Sequence, residues 1–271
     1  MTADTASRLS GVERENTVWE ALATVRDPEL DEPITALGFV ASCTVSADGQ
    51  ARVRLRLPTY FCAPNFAFLM VADAYDAVAG TPGVRSAEVV LDDHFAADTI
   101  NAGVAARAGF VASFDGEAVA ELHELRAAFL RKAVMAGTDI VCRPMLTAGA
   151  TPERLRQMTL GDVPPSAELT RLRQRRGELG LPADDAAPLL NDPVTGERVD
   201  DGAAPLHLRR ARLTQTGIEA NTSICSGMLG FRYAQDPPGG QGARGVWGDG
   251  QSSQAGGHRG VGPRGEIQEV P

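Results

Sequence analysis

The chain has almost no lysine, no paired cysteines and no long apolar run, and each shortage narrows what it does. Lys132 is the only lysine, and the remaining cationic positions are all arginine. Together with the abundance of alanine and glycine, that bias is the imprint of a GC-rich bacterial genome. Basic residues are also outnumbered, 26 against 35 acidic ones, for a net charge of −9. General nucleic-acid binding needs a basic face, so that class of partner is set aside. No apolar stretch approaches the roughly 20 residues of a membrane span. The N-terminus, Met1-Thr2-Ala3-Asp4-Thr5, is polar and acidic and lacks the apolar core of a secretory signal. Cys43, Cys62, Cys142 and Cys225 form no CxxC pair, so they read as free thiols of a reducing cytoplasm. The sequence also lacks a P-loop, a dinucleotide fingerprint, an HExxH and a GxSxG.

What remains is globular in character. An apolar content of 43% supports a buried core, and 271 residues hold one large domain or two ordinary ones. Val18, Leu22 and Val25 recur at helical spacing from Glu13 to Arg26. Phe39, Ala41, Cys43 and Val45 alternate as one strand. Beyond the Asp48-Gly49 turn, Ala51, Val53, Leu55 and Leu57 alternate as a second. Arg52, Arg54 and Arg56 occupy the other face of that strand, which is therefore wet or covered by an acidic partner. A helix over 64–79 closed by Gly80 and Pro82, a strand over 84–91 and a short helix over 101–108 complete an α+β domain.

The following part is mostly helical. Val119, Leu122, Leu125 and Phe129 form one stripe of a helix over 117–136. Thr151-Pro152-Glu153 and Ser166-Ala167-Glu168 read as helix starts with the cap residue first. Asp192-Pro193-Val194-Thr195-Gly196 is a turn, in a small hairpin. From 206 to 229 the pattern is helical again, with Ile218, Thr222, Cys225 and Leu229 on one face. After Tyr233 the composition collapses to Gly, Gln, Ser, Arg and Pro, which cannot bury enough surface to offset ordering. The expected units are 13–113, 114–233 and a disordered tail over 234–271.

The most informative segment is Leu55-Arg56-Leu57-Pro58-Thr59-Tyr60-Phe61-Cys62-Ala63-Pro64. It ends a strand, turns, and brings a cysteine to the mouth of a helix. Pro64 suits the first helical position, where its missing N–H costs nothing. The unpaired amides and dipole of a helix N-terminus favour a thiolate, which is both a nucleophile and a metal ligand. A small buried apolar group is the alternative account of Cys62.

Three motifs occur in a fixed order: Asp27-Pro28-Glu29-Leu30, Leu37-Gly38-Phe39-Val40 and Thr59-Tyr60-Phe61-Cys62. In this the region from about 14 to 100 resembles the iron–sulfur cluster assembly factors of the SufT and PaaD type. Pro58-Thr59-Tyr60 looks more like the PaaD branch. There are departures. Phe61 stands where the family has Gly, Pro64 lies one place late, and Ala36 replaces an Asp. No cysteine-rich, zinc-ribbon-like segment follows.

The resemblance implies a non-enzymatic accessory protein that binds iron or a labile iron–sulfur cluster transiently through Cys62. It would deliver this cargo to a client metalloenzyme, alongside cluster-scaffold proteins. Thiolate suits that cargo. One cysteine does not hold a cluster alone, so a second subunit (a homodimer), a client ligand or a small thiol would have to contribute. Asp27 and Glu29 are either hard oxygen donors in a fixed turn, or a helix terminator and a solvated side chain. His94, with Asp92 and Asp93 past a strand end, is either a ligand or a hydrogen-bonded loop residue. Cys43 reads as core, Cys142 and Cys225 have no partner at ligand spacing, and Cys225 reads as packing. The layout is similar to extended proteins that accompany soluble diiron monooxygenases in actinobacteria, with 114–233 recognising the client. Two rivals stand beside this reading. One is a thiol enzyme with Cys62 as nucleophile and His94 as base. The other is an interaction adaptor in which Cys62 only packs.

Because no packed core depends on the polar C-terminus, a chain ending at Ala234 should keep its melting temperature to within a few degrees. A large loss in a thermal melt would show that the tail docks on the fold.

Overall fold

The computed structural model describes residues 11–114 and 122–234. Those residues belong to one compact unit. The tail over 235–271, and Val119 with the start of its expected helix, lie outside the described residues.

The N-terminal part is α+β. Helix α1 (Gly11–Leu22) is followed by strands β1 (Val40–Val45) and β2 (Gln50–Leu55), helix α2 (Pro64–Ala79) and strand β3 (Ser86–Leu91). The sheet order is β1-β2-β3, with β1–β2 an antiparallel hairpin and β2–β3 parallel across the α2 crossover. The alternation read from the sequence is that of the fold. Ala51, Val53 and Leu55 of the central strand are buried while Gln50, Arg52 and Arg54 face out. Two of the outward arginines are answered from β3. Arg52 pairs with Glu88 at 3.1 Å, and Arg54 grips Asp92 through two 2.7 Å bonds. A shift in register between Val40 and Ser42 lets Phe39 and Val40 both point inward, so β1 starts one residue later than simple alternation suggests.

The hairpin turn requires glycine. Gly49 has φ +85°, and a Cβ there would lie 2.6 Å from the Gly83 carbonyl oxygen, while its own carbonyl accepts from Arg85 N at 2.7 Å. Only a residue without a side chain fits both the left-handed backbone and that approach.

Helices α3 (Ala97–Ala105) and α4 (Phe110–Ser113) close this part. The first sits four residues earlier than expected because Ile100, not only Val104, is buried. Helix α1 ends at Leu22, short of Arg26. The backbone turns there, and Arg26 bridges to Pro33 while Val25 stays in the core.

The remainder comprises α5 (His123–Thr147), α6 (Pro152–Gln157), α7 (Ala167–Glu178) and α8 (Ala204–Arg232). Thr151 and Ser166 cap α6 and α7 by accepting from Arg154 N and Leu169 N. Asp192 Oδ1 accepts from the amides of Val194 and Thr195, and Asn191 bridges Arg198, which makes the expected small hairpin. Helix α5 runs well past the expected end near Gly137. There a Cβ would sit 3.3 Å from Leu172 of α7, so the glycine permits close helix packing rather than a stop.

Two apolar clusters result. One fills the space among the sheet, α1, α2 and α3, and the other lies among α5, α6, α7 and the loop over 187–199. Helix α8 belongs to both. Ala204 and Leu208 pack in the helical cluster, whereas Cys225 and Leu229 pack on the sheet cluster. Among the described residues no helix is long and apolar enough to cross a membrane.

An ion pair joins the helical part to the loop after α1. Arg175 of α7, 2% exposed, donates to Asp31 at 2.6 Å and to Glu178 at 2.7 Å. Arg175→Leu leaves the Asp31 carboxylate with only Arg26, at 3.7 Å. It should cost about 3 kcal/mol, the usual penalty for breaking a buried pair. An unchanged denaturation midpoint would show that this clamp contributes nothing.

Candidate functional site

The strand β2 runs out at Leu55, and buried Leu57 and Pro58 anchor the chain before it turns. Thr59, Tyr60 and Phe61 form the turn, Ala63 is the N-cap of α2 and Pro64 is its first residue. Cys62 therefore lies one residue before the cap. It is partly exposed, with its Sγ 3.4 Å from Thr59 Oγ1.

A second loop, just after β3, holds this turn. Ala96 N donates to His94 Nδ1 at 3.2 Å, so the ring proton is on Nε2, which donates to the Cys62 carbonyl at 2.7 Å. Phe95 N donates to the Tyr60 carbonyl at 3.2 Å. His94 is 5% exposed and both ring nitrogens are engaged. It thus holds the backbone of Cys62 and has no nitrogen left for the thiol in this geometry. To serve as a metal ligand it would first have to release one of these bonds. Burial, and after it the charge of Arg232, lowers the His94 pKa, while the bond to the Cys62 carbonyl works the other way.

Three aromatic rings surround the turn on its outer side. Tyr60, Phe61 and Phe95 are 43%, 77% and 50% exposed, with ring centroids 5.0 to 6.4 Å apart. Apolar rings left so open beside a partly exposed thiol belong to the surface and not to the core.

The Asp27-Pro28-Glu29-Leu30 segment forms a tight turn. Asp27 Oδ1 accepts from the amides of Glu29 and Leu30, both at 2.8 Å, and Asp31 takes φ +53°. Asp27 is 9% exposed, and burial raises its carboxyl pKa against the pull of those two amides. Glu29 reaches outward to α5 and α8. Its Oε1 lies 3.7 Å from Lys132 Nζ and accepts from Asn221 Nδ2 at 3.3 Å. The only lysine of the chain is thus spent on this loop.

The end of α8 clasps both site loops. Arg232 donates to the Leu57 carbonyl at 3.1 Å and pairs with Asp93, and Arg56 stacks 4.7 Å from the Tyr233 ring. The Arg56 position is therefore covered by this chain itself, while Arg52 and Arg54 are wet.

The four cysteines differ. Burial pushes the Cys43 thiol up to about 11 with help from Glu15, and the fully buried Cys142 up to about 12. Cys225 also rises to about 11, by burial first and then by the charges of Asp27, Cys62 and Glu29. Sequence reading placed it on an apolar stripe, and it packs against the sheet cluster. Among the described residues no three His, Cys, Asp or Glu side chains converge closely enough to hold a metal ion.

Residues 15–90 match the family model described as iron-sulfur cluster assembly protein. Over that span the chain is similar to this family. The matched span runs from within α1 to the end of β3 and includes Asp27, Glu29 and Cys62, with His94 just beyond it. A solved structure described as a domain of unknown function, DUF59, from Bacillus anthracis is 24% identical over 32% of this chain and 84% of that one, with a TM-score of 0.29. No curated protein matches the chain.

The lowered His94 pKa has a testable sign. The fold excludes a proton that the unfolded chain accepts near 6.5. Its contribution to stability is present above that value and is lost as the pH falls through it. Wild type should be more stable than His94→Gln at neutral pH, and the gap should narrow on acidification to about pH 5. A gap independent of pH, measured by thermal melts, would contradict the assigned proton positions.

Proposed function

We infer that the protein has a role in iron–sulfur cluster biogenesis, a reading that the family match over residues 15–90 supports. We propose that the protein is a non-catalytic maturation factor that binds iron or a labile cluster through Cys62 and passes it to a client metalloenzyme. The helical part over 114–233 recognises that client, a soluble diiron monooxygenase in this reading. One observation carries the proposal. Cys62 is a partly exposed thiol on a backbone pinned by His94, ringed by exposed aromatic side chains, inside the matched domain. Such a thiol is open to a soft metal, and the rings offer the large, low-entropy contacts that interfaces favour.

Asp27 contributes by shaping its turn. Glu29 and the rest of the coordination sphere would come into play only with ligands from a partner, a second copy or a small thiol. That suits a cargo which is held and then released. The thiol-enzyme reading has less support, because His94 faces the Cys62 carbonyl rather than its sulfur.

Protein purified without oxygen should carry iron, and Cys62→Ser should lose it and fail to activate the client while melting normally. Cys43→Ser is the control. A hydroxyl on that largely buried face should destabilise by about 1–3 kcal/mol yet leave iron binding intact wherever the fold survives. The reverse pair of phenotypes would place the site at the wrong cysteine.

A further inference from the structure

Helix α8 is apolar on two faces. Its inner face, with Leu208, Ala211, Ile218 and Leu229 buried, packs on the body of the protein. Its outer face is open: Leu213, Ile224, Met228 and Phe231 are 74%, 58%, 44% and 89% exposed. Leu213, Gly217, Ala220, Ile224, Gly227 and Phe231 follow one another at alternating steps of four and three, the spacing of a coiled-coil seam. From Leu213 to Phe231 the only charged residue is Glu219, in a chain that is 23% charged. Glu219 is drawn aside to Arg143 of α5, at 4.0 Å. A helix that meets water on one side carries polar residues there, and one that is apolar all round is buried all round. The glycines point the same way. A Cβ at Gly217 or Gly227 would meet only open space, unlike one at Gly137, which would touch Leu172. Each of these glycines weakens α8 relative to alanine, and close approach of a second helix is what would offset that.

We propose that the outer face of α8 pairs with the same face of a second copy of this chain, antiparallel, about a two-fold axis beside Thr222. That register sets Leu213 against Phe231 of the second copy, Gly217 against Gly227 and Ala220 against Ile224. The small layers bring the helices close near the axis, and the large ones fill the gap where the axes diverge. In a two-fold contact, residues beside the axis meet their own copies, so any charge there would face its like. The neutrality of this seam is what a self-contact requires. A foreign partner makes no such demand, and charge is the usual means of specifying one. The paired face is roughly 28 Å long and about 10 Å wide, from the rise and diameter of a helix. That is at the small end of protein interfaces, so the dissociation constant is expected in the micromolar range. The pairing uses no residue of the Cys62 loop and stands apart from the function proposed above.

Sedimentation equilibrium of the full chain at tens of micromolar should give a mass near twice the 28.5 kDa of one chain. Ile224→Glu puts two carboxylates beside the axis, and Ala220→Lys puts two ammonium groups there. Each variant alone should self-associate about 100-fold more weakly, because like charges face each other across the contact, and should sediment as a monomer. Thermal melts should show both variants folded, since both positions are exposed. In the proposed register residue 220 of one copy faces residue 224 of the other, so mixing the two variants should restore the dimer mass. A wild type that is monomeric at this concentration would overturn the proposal and leave the face to a client or to the C-terminal segment. A dimer insensitive to both substitutions, or one that mixing fails to restore, would overturn it as well.

Discussion

The hydrogen bond from His94 Nε2 to the Cys62 carbonyl, 2.7 Å long, is the constraint on which the site depends. A turn between a strand and a helix has few backbone partners of its own, and Ala63 offers no side-chain cap. The histidine supplies a donor from the next strand's end and is locked in turn by the Ala96 amide. That arrangement fixes where the thiol emerges without touching it. Of the two sequence readings of His94, ligand or hydrogen-bonded loop residue, this geometry is that of the second, a buried brace of the loop that carries Cys62.

A second layer of support comes from far along the chain. Arg232 bonds the Leu57 carbonyl and pairs with Asp93, so one guanidinium ties the approach to Cys62 to the loop of His94. Arg175 does the same for the Asp27 turn through Asp31. Both arginines belong to the helical part. The region beyond the family match is therefore built into the site, and α8, which packs in both apolar clusters, is the element that joins the two. Hydrogen bonds between charged and neutral groups at such junctions are stronger than average, so these ties hold positions as well as contribute stability.

Much of the α+β domain was legible because its residues obey local rules. Ala51, Val53 and Leu55 alternate since β2 is central and one face is buried. Pro64 starts α2 since its ring suits that position. Legibility failed where tertiary packing decides. The helix expected over 117–136 runs on past Gly137, which packs closely on Leu172, and the short α3 is placed by the burial of Ile100. The same holds at the site. Cys62 was readable because strand end, turn and proline are contiguous, and the Asp27 turn because its proline is local. Asn221, Lys132 and Arg232 were not, since each acts on residues that only the folded chain brings near. A stripe of apolar positions on a helix says which way it faces and not what it faces.

X-ray absorption at the iron edge of the full chain, loaded with ferrous iron without oxygen, tests the central claim most directly. The account predicts sulfur scatterers in the first coordination shell of the wild type and their loss or reduction in Cys62→Ser. A shell of oxygen and nitrogen alone, identical in both proteins, would contradict it.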